Sequence, residues 1–61
     1  MMDPKLLVLG DVVAAFHPGM LGVVKIGTVK TVGRKYATLD FGMWGTCKVP
    51  FRDLLYLADR L

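Results

Sequence analysis

Glycine and proline placement is the feature that most limits what this chain can fold into. Seven glycines and three prolines divide 61 residues into short apolar runs, each too brief for a stable helix and rich in β-branched or aromatic side chains. That pattern predicts strands.

The first strand is expected over residues 11–16, entered through Gly10 and ended by the turn His17-Pro18-Gly19, where proline presets φ and glycine accepts positive φ. The second is expected over residues 23–32, with Gly27 marking a bulge or sharp bend, and Gly33-Arg34-Lys35 turns it. The third, residues 36–41, alternates cleanly, so Ala37, Leu39 and Phe41 are assigned to the core and Tyr36, Thr38 and Asp40 to the other face. Gly42-Met43-Trp44-Gly45 makes the next turn, and residues 46–49 form a short fourth strand stopped by Pro50, which cannot donate to a ladder. A single 3₁₀ turn over residues 50–53 then precedes a fifth strand, residues 54–57. The rival at this end is a short C-terminal helix after Pro50, because Phe51, Leu54, Leu55 and Ala58 also fit helical spacing. The run over residues 6–9 reads as an edge strand or an extended arm, with strand preferred on length.

The whole of residues 1–61 is read as one domain with its core over residues 10–57, and a chain this short has a marginal core of its own. It is nevertheless 54% hydrophobic, which suggests that some apolar surface faces a partner. Residues 6–24 hold no lysine or arginine, but Asp11, His17 and Pro18-Gly19 do not suit a membrane span. Asp11 and Asp3 do not suit a signal peptide either. Cys47 is the single cysteine, which excludes an internal disulfide and a CxxC metal cluster and leads to a cytoplasmic expectation. The net charge of +3 hides an asymmetry: residues 25–52 carry +5 and the rest −2.

Gly-Asp-Val-Val at 10–13, Gly-Thr-Val-Lys-Thr-Val-Gly at 27–33, Tyr-Ala-Thr-Leu-Asp-Phe at 36–41 and Val-Pro-Phe-Arg-Asp-Leu at 49–54 together resemble an SH3-like barrel of the KOW or Tudor sort. The resemblance implies an all-β, five-stranded SH3-like barrel that binds RNA, DNA, peptides or methylated side chains. The several aromatics of a Tudor cage are missing, as are the acidic loop and paired tyrosines of an SH3 domain, so no site residue is transferred.

Catalytic chemistry is poorly provided for. Serine and glutamate are absent, and Cys47 and His17 are single, with the cysteine expected to pack as a small hydrophobe and the histidine to lie in solvent. The five aspartates have no metal-site or carboxylate-pair spacing, and Asp53 is expected to cap the backbone before the last strand. Gly19-Met20-Leu21-Gly22 lacks the lysine and helix of a phosphate loop. The expectation is a non-enzyme without cofactor or metal.

Alternating loops in an up-and-down meander fall at opposite ends. One end then carries His17, Met20, Leu21, Met43 and Trp44, and the other Gly33-Arg34-Lys35 with Phe51 and Arg52. Trp44 either caps the barrel by folding over Met20 and Leu21 or joins them in a seam with another copy or a protein partner. The basic end suggests nucleic-acid binding, DNA or RNA, with Lys30, Arg34, Lys35 and Arg52 on phosphates and Tyr36 stacking on a base. Its plainer alternative is a solvated hairpin whose lysines guard edge strands. A lesser reading is an oligomeric barrel with a small molecule in its central pore.

Overall fold

Five strands form along the predicted apolar runs. In the computed structural model, which describes residues 4–58, they are β1 (Val12–Phe16), β2 (Val24–Val32), β3 (Tyr36–Asp40), β4 (Thr46–Pro50) and β5 (Leu54–Leu57). The chain is all-β, and short 3₁₀ turns occupy Pro4–Leu6, Gly42–Trp44 and Phe51–Asp53. The rival helix after Pro50 does not form, since that turn leads directly into β5; residues 59–61 lie outside the described part.

Hydrogen bonding orders the strands β4-β3-β2-β1-β5 in one sheet, with each neighbouring pair antiparallel. This corrects the expectation of a closed meander, because β4 and β5 share no ladder and the sheet stays open between them. β5 is antiparallel to β1, as β2 is, so it runs in the same sense as β4. The Phe51–Asp53 turn is therefore a bridge across the open side and not a hairpin reversal. At its start, Phe51 N donates to Lys35 O at 3.0 Å, and by Asp53 it has reached a depression walled by the β1–β2 loop.

Period-two alternation sets the interior. Val13 and Ala15 of β1, Val29 of β2, Ala37 and Leu39 of β3, Val49 of β4 and Leu54 of β5 pack with Phe41, and Cys47, Phe51 and Leu57 lean on them. Gly27 is not a bulge. Its pairing with Val13 is regular, and the register shift of β2 falls between Val29 and Thr31, which leaves Lys30 as the extra residue. Gly27 is required for a different reason: a Cβ there would lie 3.0 Å from Cδ1 and Cε1 of Phe41 and 3.1 Å from Cβ of Leu39.

The segment at residues 6–9 forms no strand, contrary to expectation. The Asp11 carboxylate accepts from Val8 N at 3.0 Å, and Asp11 N donates to Val8 O at 3.1 Å. Gly10, at φ +92°, completes this tight reversal. The reversal turns Leu7 into the core, where it is 8% exposed, and so fills one end of the barrel-like body.

Candidate nucleic-acid interface

Strand geometry builds one polar face around the β2–β3 hairpin. Thr31 stands opposite Thr38, Thr38 opposite Lys48, and Tyr36 opposite Pro50. Thr31, Thr38, Lys48 and Tyr36, with Arg34 at the hairpin tip, line a shallow depression of about 340 Å³, completed by Val32 and Gly33. Arg34 also walls a second depression, about 360 Å³, with Lys5, Val32, Gly33 and Phe51. Arg34 is thus a crest between two hollows.

Of the residues expected at a basic site, the fold gathers Arg34 and Tyr36 in one hollow, with Lys35 next to both in the chain. Lys30 and Arg52 are exposed but line neither hollow. Lys48, Thr31 and Thr38 were not singled out from sequence. Lys48 was legible nonetheless, because Val49 beside it is core and adjacent residues of a strand face opposite ways. Among the described residues, no carboxylate pairs with Arg34, Lys35 or Lys48. Tyr36 presents its ring half-exposed.

The opposite end is organised by His17, which is buried and not in solvent. Its Nδ1 accepts from Gly19 N at 3.0 Å. That bond fixes the neutral tautomer, so Nε2 carries the proton and donates to Trp44 O at 3.3 Å. The same nitrogen is 3.8 Å from Sγ of Cys47. The two residues do meet in space, but Nε2–H faces the sulfur as a donor, and no lone pair is available to take the thiol proton. A cysteine–histidine nucleophile would need the other tautomer and the loss of the Gly19 bond.

Trp44 does not cover Leu21. Leu21 is fully exposed and Trp44 half-exposed, and the indole packs instead under Lys25, whose Nζ is 4.2 Å from the ring centroid. This end is therefore apolar with one cation in it. Met43 is 91% exposed. Asp53 makes no capping hydrogen bond in its turn. Among the described residues, no group of three metal-ligating side chains exists, and no helix is long and apolar enough to cross a membrane. Comparison of the chain with protein-family models, with curated proteins and with solved structures gave no match in any of the three.

Proposed function

We propose that this protein is a non-enzymatic binding module of the SH3-like kind that holds nucleic acid on the outer face of its β2–β3 hairpin. The observation that carries the reading is the shared hollow of Arg34, Tyr36 and Lys48, flanked by Thr31 and Thr38. Two cations without carboxylate partners suit phosphates, a half-exposed phenol ring suits a base, and threonine hydroxyls suit sugar and phosphate oxygens. Few of these side chains can read base edges, so the binding is only weakly selective for sequence. Lys35, Lys30 and Arg52 add to the field around the hollow and not to the contact itself.

Fluorescence anisotropy with short single- and double-stranded DNA and RNA tests this. Affinity should fall by roughly tenfold or more between 50 and 200 mM salt if two or three phosphates are held. The double substitution Arg34→Glu, Lys35→Glu should abolish binding while leaving the circular dichroism spectrum intact. Affinity that ignores both salt and charge reversal would refute the reading. It would favour a second one, a protein partner held by Leu21 and Met43, the two most exposed large apolar side chains described.

A further inference from the structure

The two hollows at the tip of the β2–β3 hairpin have the same parts in mirror order. The first holds Tyr36 and Lys48, the second Phe51 and Lys5, and Val32, Gly33 and Arg34 wall both. At about 340 and 360 Å³ they are nearly equal in size. Each offers one aromatic side chain: Tyr36 is half-exposed, while Phe51 leans on the core and keeps part of its surface in the hollow. The wall they share is low because Gly33 has no side chain, and Arg34 is the one charged residue in it. Across the hairpin tip the order is therefore ring, cation, ring.

We infer that the two hollows take consecutive bases of an unpaired nucleic-acid strand, with the phosphate between those bases held on Arg34. The inference rests on the nucleic-acid reading above and narrows it to single strands. An unpaired strand carries the matching order of parts: a flat base face, a phosphate, a second base face. The bases stack on Tyr36 and Phe51, and the linking phosphate crosses the low wall, where a guanidinium can donate two parallel hydrogen bonds to its oxygens. Lys48 in one hollow and Lys5 in the other add positive charge for the phosphates on either side.

A duplex cannot use these hollows. Its base faces are hidden in the stack, and it presents only base edges within its grooves and a convex backbone outside them. Double-stranded RNA hides its base faces in the same way. Neither ring could then be reached, and only Arg34 and the lysines would contribute. DNA and RNA strands share the base faces and phosphates that these residues meet, so the inference covers both.

Fluorescence anisotropy of the full chain with a labelled, unstructured strand of roughly 16 nucleotides, alone and annealed to its complement, in DNA and in RNA form, tests this. Two stacked bases at the weak end of their usual contribution amount to about thirtyfold, and the denser phosphates of the duplex offset part of it, so the strand should be favoured by about tenfold. Tyr36→Leu and Phe51→Leu keep an apolar side chain but remove the ring; each should weaken strand binding about fivefold and leave duplex binding unchanged. Should Phe51→Leu not fold, the aromatic proton resonances of Phe51 in the parent protein should still move on titration with the strand and stay in place with the duplex. A duplex bound as tightly as the strand, in either sugar, would overturn the inference while leaving the nucleic-acid reading intact. So would a folded Phe51→Leu variant with unchanged strand affinity, or Phe51 resonances that ignore the strand. If neither strand nor duplex binds, the earlier reading fails and takes the inference with it.

Discussion

Replacing Gly27 with alanine should destabilise the protein, although alanine is normally the better residue in a strand. Two effects oppose each other. Alanine restricts the unfolded chain and suits extended backbone, which is worth about 0.5–1 kcal/mol in its favour. Against this, its Cβ would stand 3.0 Å from two ring carbons of Phe41 and 3.1 Å from Cβ of Leu39, where carbon contacts are optimal near 3.5–4.0 Å. Neither neighbour can yield easily: Leu39 is wholly buried, and Phe41 is 5% exposed with its ring against that of His17 at a centroid distance of 4.8 Å. Overpacking of this kind costs about 1–3 kcal/mol, so the net loss should be about 1–2 kcal/mol. Urea unfolding followed by the fluorescence of Trp44, the one tryptophan, would show it. With a slope near 1 kcal/mol/M for so small a chain, the midpoint should fall by about 1–2 M. Adding Phe41→Leu should relieve part of the Gly27→Ala penalty, giving a coupling of at least about 0.5 kcal/mol. A midpoint equal to or above that of the parent would refute the packing argument.

His17→Ala removes the bonds to Gly19 and Trp44 and the ring contact with Phe41. It should cost about 2–3 kcal/mol in the same urea assay and shift the folded-state emission of Trp44; an unchanged midpoint and spectrum would show that the β1–β2 loop holds its place without the imidazole. Leu7→Ala should cost about 2 kcal/mol, because Leu7 fills the end of the core, whereas Leu9→Ala, at a position 67% exposed, should cost almost nothing. Equal midpoints for the two leucine variants would mean that the N-terminal segment contributes no packing.

Much of the architecture was legible because alternation is a direct record of which side faces inward. Ala37, Leu39 and Phe41 declared the core face of β3, and Pro50 marked the end of β4 and the start of the bridging turn. β1 was legible as a strand but not in orientation. Val12 to Phe16 is apolar at every position, so periodicity could not reveal that Ala14 and Phe16 form a second, outward face. The reversal at residues 8–11 was hidden because it depends on a carboxylate reaching back to a backbone N–H, and a run of leucine and valine carries no trace of that. Gly27 was read through its usual meaning in strands, when the deciding fact was the ring of Phe41, fourteen residues away in the chain. The burial of His17 and its approach to Cys47 depend likewise on tertiary placement. The basic hollow was half legible: Arg34 and Tyr36 stand out beside a turn, while Lys48 joins them only through the pairing of β4 with β3.

The hollow that Lys5 shares with Arg34 and Phe51 has a practical consequence for anything attached to this molecule. A fluorophore carried on Lys5 would crowd Arg34, whereas one placed at the Met43 tip, which is 91% exposed, would stand at the His17 end and leave that hollow clear.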